Sequence, residues 1–185
     1  GMKIFCMSGH INNPGNFEIA LGTPFSDLLD LAGGIFNQKN IKAVIPGGSS
    51  VPVVKGEVMM KVNMDYDSIT EVGSMLGSGG VIVMDESTCM VSVLHRISRF
   101  YYSESCGQCT PCREGTGWLY KILTNIISGN GTQNDLHQLE RLATQIEGHC
   151  ICALGDAAAM PVRSFLKNFW SEFEYYVDKK ESMVS

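Results

Sequence analysis

The stretch Glu104-Ser105-Cys106-Gly107-Gln108-Cys109-Thr110-Pro111-Cys112-Arg113-Glu114-Gly115 constrains this 185-residue chain more than any other. Three cysteines at i, i+3 and i+6 can all turn inward on one tight loop toward a single metal centre. Gly107 and Pro111 supply the unusual backbone that such a wrap requires. A fourth thiolate has to come from a distance, and either Cys150 or Cys152 can provide it. Three close cysteines and one remote one suit a [4Fe–4S] cluster. Structural zinc also takes four thiolates, but more often as two separated Cys-x-x-Cys pairs. Both metals stay open on spacing alone, beside a thiol-redox or packing role. The segment after Cys112 reads as a helix, whose positive N-terminal end would face the anionic centre.

The other cysteines bear on the same question. Seven cysteines are an odd number, which leaves one unpaired in any disulfide framework. The opening Lys3-Ile4-Phe5 runs directly into Ser8-Gly9-His10, which does not read as a secretory signal. Metal ligation is therefore the better use of the clustered five. Cys6 and Cys89 stand apart in apolar surroundings and are expected to be small core residues.

The chain changes character near residue 88. Before it, apolar stretches at Lys3–Met7, Ile41–Ile45, Val51–Val54 and Val81–Met84 alternate with turns such as Asn13-Pro14-Gly15, Pro46-Gly47-Gly48 and Gly77-Ser78-Gly79-Gly80. One helix fits, from about Phe25 to Ala32, closed by Gly33-Gly34. After it the apolar period becomes helical. Met90, Leu94, Ile97 and Tyr101 mark one helix; Leu119, Ile122, Leu123, Ile126 and Ile127 a second; Leu136, Leu139, Ala143 and Ile146 a third. The fourth is expected to carry Pro161 in its first turn, followed by Val162, Phe165, Leu166, Phe169, Trp170, Phe173 and Val177. The expected fold class is thus α+β: a small sheet domain over residues 2–88 and a four-helix bundle over residues 89–185.

Charge excludes some functions. The net charge of −5 argues against a general nucleic-acid binder, which would show a basic stripe. No apolar run approaches the ~20 residues that cross a bilayer. Trp118 and Trp170 are expected to help fill the bundle core, and Lys179-Lys180 to be a solvated tail. His95 reads as a packed or partly exposed histidine rather than a ligand, and His149 as a ligand only in a rare alternative. Arg113 and Glu114 either offset the centre's charge or form an ordinary surface pair.

The cysteine run with Gly117-Trp118, together with Ile151-Cys152-Ala153-Leu154-Gly155-Asp156-Ala157-Ala158 and Pro161-Val162, resembles the NADH-binding flavoprotein subunit of respiratory complex I. Val44-Ile45-Pro46-Gly47-Gly48-Ser49-Ser50 is similar to the SLBB, or β-grasp-like, domain of the same family. The resemblance implies Cys106, Cys109, Cys112 and Cys152 as ligands of one [4Fe–4S] cluster, with Cys150 a bystander. It also implies that Leu154 and Gly155 approach a flavin. It implies that the family's FMN and NAD sites lie in an upstream domain that these residues do not contain, so the chain reads as the C-terminal part of a longer subunit, inactive by itself. Implied partners are that FMN/NADH domain, a thioredoxin-like [2Fe–2S] subunit and the large iron–sulfur subunit. Neither nucleic acid nor membrane insertion is implied. The implied location is the cytoplasmic inner face of a bacterial plasma membrane, or the matrix side in mitochondria. Two alternatives remain: the homologous diaphorase subunit of an NAD-reducing hydrogenase or formate dehydrogenase, and a zinc-stabilised interaction module without redox chemistry.

Overall fold

The computed structural model describes residues 1–184 and divides into two units, one through Thr88 and one from Cys89 onward. In the first unit, β1 (Met2–Gly9) and β2 (Gly15–Ala20) form an antiparallel hairpin with Met2 opposite Ala20 and Met7 opposite Gly15. β3 (Ile41–Ile45) pairs antiparallel with the two-residue β4 (Val54–Lys55) and with β5 (Gly80–Asp85). β5 also runs parallel to β1, so the first and last strands lie side by side in the order β2-β1-β5-β3-β4. The sheet is mixed. A parallel neighbour requires a long crossover, and the chain between β1 and β5 supplies it.

α1 (Phe25–Leu31) turns Phe25, Leu28 and Leu29 into the core beside Phe5, Met7, Val44, Val81 and Val83. Each such fully buried side chain contributes about 1.5–3 kcal/mol of transfer free energy. α2 (Gly56–Met59) and α3 (Tyr66–Glu71) add Met59 and Ile69 to the same core. Asp65 caps α3 by accepting the Ser68 N–H at 2.8 Å. These two helices and β2 have no counterpart in the sequence reading, because each holds too few apolar positions to show a period. Val51–Val54 reads as a strand from sequence, yet only Val54 and the following Lys55 pair.

The second unit is helical: α4 (Met90–Glu104), α5 (Thr110–Ile127), α6 (Gln133–Ile146) and α7 (Leu154–Lys179). α4 packs on α5 and α7, and α6 packs on the same two. Met90, Leu94, Leu119, Leu123, Ile126, Leu136, Leu139, Ala143, Phe165 and Phe173 are buried. Thr132 and Asp135 form a capping box that starts α6. The buried Glu172 of α7 accepts the Met90 N–H at 3.3 Å, capping α4 where Cys89 offers no side-chain bond.

Several expectations need correction. Cys6 is exposed, because the period of two along β1 puts it opposite Phe5 and Met7. Cys89 is only half-buried, at the N-cap of α4. Trp118 is 50% exposed; its neighbour Leu119 takes the core position, about 100° further round the helix. Pro161 lies inside α7 rather than in its first turn, because Leu154 and the good helix formers Ala157, Ala158 and Ala159 begin the helix earlier. Lys180 is not a free tail: it closes α7 in a left-handed conformation and its Nζ donates to the Gly131 carbonyl at 3.1 Å.

Candidate metal centre

The centre is built from two connections in the helical unit. The first runs between α4 and α5. Gly107, at φ +79°, turns the backbone there in a left-handed conformation that costs other residues about 1–2 kcal/mol. Arg113, in the first turn of α5, donates from Nη1 to the Gly107 carbonyl at 2.9 Å and so ties the loop to the helix. Its Nε pairs with Glu114 at 3.0 Å, both side chains being about half exposed. Arg113 is therefore both a surface ion pair and a brace on the cysteine loop.

The three cysteines meet different environments. Cys106 is exposed, Cys109 half-buried and Cys112 buried. Cys109 is the N-cap of α5 and uses no side-chain bond to cap it, which leaves its sulfur available. The Cys112 sulfur lies 3.3 Å from the Ser105 hydroxyl, while Thr116 donates to the Cys112 carbonyl at 2.7 Å.

The second connection, residues 147–153, joins α6 to α7. The Gly148 N–H donates to Asp156 Oδ1 at 2.7 Å, and Glu147 pairs with Arg163. The loop is thus held to the first turns of α7 from its N-terminal end. His149 is exposed, with Nδ1 2.8 Å from the Glu147 carbonyl. Cys150 is half-buried and donates weakly to the Ile146 carbonyl at 3.7 Å. Burial pushes its thiol pKa up, as do the neighbouring Cys112 and Cys109 and, more weakly, Asp156; the Cys112 peptide N–H partly offsets them. Cys152 is exposed. Leu154 and the buried Gly155 form the first turn of α7.

The Ile151 N–H donates to the Cys109 sulfur at 3.3 Å across 42 residues and so joins the two connections. The structure thus brings the loop that carries Cys150 and Cys152 against Cys109 and Cys112. It does not gather the sulfurs into a closed ligand set; among the described residues no three metal-ligating side chains already converge. The donors nevertheless fit an iron–sulfur cluster. They are soft thiols on two loops that each open a helix, and a peptide N–H already points at one of them, the hydrogen bond that stabilises cluster sulfur. The helix dipoles of α5 and α7 add a positive field where an anionic centre would sit.

His95 takes no part. Its Nε2 lies 3.1 Å from Thr124 Oγ1, its ring stacks on Tyr120, and burial with Arg99 and Arg96 pushes its pKa down. Ser105, Ile151 and Asp156 do take part, and sequence reasoning does not single them out. Asp156 has a visible signal, the Leu-Gly-Asp triplet opening a helix; the Ile151 N–H is a backbone group and has none.

The family described as NADH-ubiquinone oxidoreductase-F iron-sulfur binding region matches residues 92–176, and the SLBB domain family matches residues 3–83. The F subunit of the NADH-quinone oxidoreductase of Rickettsia bellii is 48% identical over 176 residues, 94% of this chain and 42% of that protein. The F subunit of Rickettsia conorii is also 48% identical, over all of this chain and 44% of its own length. Among solved structures, an NAD+-reducing [NiFe]-hydrogenase in its H2-reduced state superposes with a TM-score of 0.85 at 28% identity, over 96% of this chain and 30% of that one. This chain therefore spans less than half the length of the curated relatives it matches. Nearly all of the chain is thus similar to less than half of NADH-quinone oxidoreductase F subunits, residues 3–83 matching an SLBB domain and residues 92–176 the iron–sulfur binding region.

Proposed function

We propose that this chain is the electron-transfer part of an NADH:quinone oxidoreductase, with Cys106, Cys109, Cys112 and Cys152 holding one [4Fe–4S] cluster. The observation that carries the reading is the Ile151 N–H on the Cys109 sulfur, which brings the two cysteine segments to one place. When bound, such a cluster stores one electron at a time, taken from FMN that NADH has reduced and passed on toward quinone. The chain's residues do the rest. Arg113 braces the loop through Gly107 and brings a positive charge beside the thiolates. The α5 and α7 N-termini and the Ile151 N–H stabilise negative charge on sulfur. Cys112, buried against Ser105, is the ligand most shielded from water. Leu154 and Gly155, at the start of α7, are the residues we assign to the flavin side.

The FMN/NADH domain, the thioredoxin-like [2Fe–2S] subunit and the large iron–sulfur subunit are the partners this reading implies, on the inner face of a bacterial membrane. Among the described residues no helix is long and apolar enough to cross a membrane. The hydrogenase neighbour shares the fold at 28% identity, against 48% for the quinone-oxidoreductase relatives, and so favours the quinone-linked reading.

The test is anaerobic reconstitution with ferrous iron and sulfide, followed by iron, sulfide and zinc analysis and visible absorption. A brown protein with equal iron and sulfide, bleached by dithionite, is expected. A Cys106→Ser, Cys109→Ser or Cys112→Ser chain should lose that absorption. Stoichiometric zinc binding with no sulfide uptake would overturn the reading.

A further inference from the structure

We propose that Cys150 is a second thiolate for the cluster's fourth iron, able to take the place of Cys152. The inference rests on the cluster reading above and deepens it by naming a fifth cysteine of the site.

Three observations place Cys150 there. First, the Cys150 side chain lies on Gly155: a Cβ at that position would stand 2.6 Å from its sulfur and 2.9 Å from its Cβ. The missing side chain of Gly155 is what lets the thiol rest against the start of α7. Second, the loop that carries Cys150 is folded onto the first turn of α7 by the Gly148 N–H, which donates to Asp156 Oδ1 at 2.7 Å. Third, the residue between the two candidate cysteines, Ile151, is bonded to the Cys109 sulfur. That bond pins the loop at its midpoint, with one cysteine on each side.

The two thiols differ in a way that suits them to exchange. Cys152 is exposed, whereas Cys150 is half-buried and donates a weak bond of 3.7 Å to the Ile146 carbonyl. Only Ile151 separates them, and the loop has no helix or strand pairing between residues 147 and 153. Swinging one thiol away and the other in therefore disturbs little packing. The step is a ligand substitution with no electron transferred. The iron–sulfur bond to Cys152 breaks, one to Cys150 forms, and the proton of the Cys150 thiol ends on the Cys152 thiolate.

The experiment compares wild type, Cys150→Ser, Cys152→Ser and the double variant after the same anaerobic reconstitution, reading iron and sulfide per chain and the electron paramagnetic resonance of the dithionite-reduced protein. The Cys152→Ser chain should keep most of the wild-type iron with a shifted resonance spectrum, while the double variant loses its fourth iron or the whole cluster. Iodoacetamide labelling with mass spectrometry should find Cys150 protected in the loaded Cys152→Ser chain. Labelling also tests the exchange without altering Cys152: in loaded protein, Cys152 should be labelled faster in wild type than in Cys150→Ser. If Cys152→Ser loses iron as completely as the double variant, or Cys150 is freely labelled in the loaded chain, Cys150 is no ligand although the cluster reading stands. Failure of the wild type to take up iron and sulfide would remove both.

Discussion

Gly155→Ala puts one methyl group where the structure leaves no room. It would stand 2.6 Å from the Cys150 sulfur, 2.9 Å from the Cys150 Cβ and 3.4 Å from Ile146 Cγ2. Non-bonded heavy atoms settle at about 3.5–4.0 Å, so Cys150 has to retreat by about 1 Å. Overpacking of this kind costs about 1–3 kcal/mol. Alanine is the better helix residue and recovers about 0.5–1 kcal/mol at a helical glycine. The difference spans about 0–2.5 kcal/mol, a net loss of about 1 kcal/mol at the middle of both ranges. Urea unfolding followed by tryptophan fluorescence measures it cleanly, because both tryptophans, Trp118 and Trp170, lie on α5 and α7. A double-mutant cycle then locates the cause. Cys150→Ala removes the 2.6 Å contact but keeps the 2.9 Å one, so the double variant should lose less than the sum of the singles, by about 0.5–1 kcal/mol. Because Cys150 and Ile151 move together, Gly155→Ala should also slow iron and sulfide uptake. Single effects that simply add would show that Cys150 does not rest on Gly155.

Glu172→Ala leaves the Met90 N–H at the start of α4 without its carboxylate and should cost about 1–3 kcal/mol, with Glu172→Gln milder; equal losses would refute the charge–dipole part. Burial alone would raise the Asp85 pKa, but the Ser87 hydroxyl and N–H, His10 and Lys39 together hold it below the usual carboxylate value. A depressed carboxylate stabilises above its unfolded pKa, and that contribution is lost as pH falls through the folded value, so the sheet unit should weaken in acid; hydrogen exchange at β5 in Asp85→Asn should lose that pH dependence. Cluster loading should raise hydrogen-exchange protection chiefly in residues 105–113 and 147–154; a change spread over all four helices would mean that the metal drives folding of the whole unit.

The Cys-x-x-Cys-x-x-Cys run and the helical period after residue 88 are legible in the sequence because both are local. Ligand spacing is written along the chain, and an amphipathic face repeats every 3.6 residues whatever it packs on. The same reasoning places the apolar face of α6, since Leu136, Leu139, Ala143 and Ile146 are all buried. It fails where few residues carry the signal. β2, α2 and α3 are short, and β4 is two residues whose pairing depends on β3 lying beside them.

By itself, then, the sequence determined the α+β composition and a run of three cysteines at a spacing that suits thiolate metal ligation. Tertiary structure decided the rest. It paired the first and last strands in parallel, turned Cys6 and Trp118 outward, and began α7 before Pro161. It also set the remote loop on Cys109 through a backbone N–H, with Cys150 seated on Gly155. The physical reason is the range of the interactions. Period and ligand spacing need only neighbouring residues, whereas a parallel strand pair, an exposed helix face or a bond across 42 residues exists only once distant segments have packed.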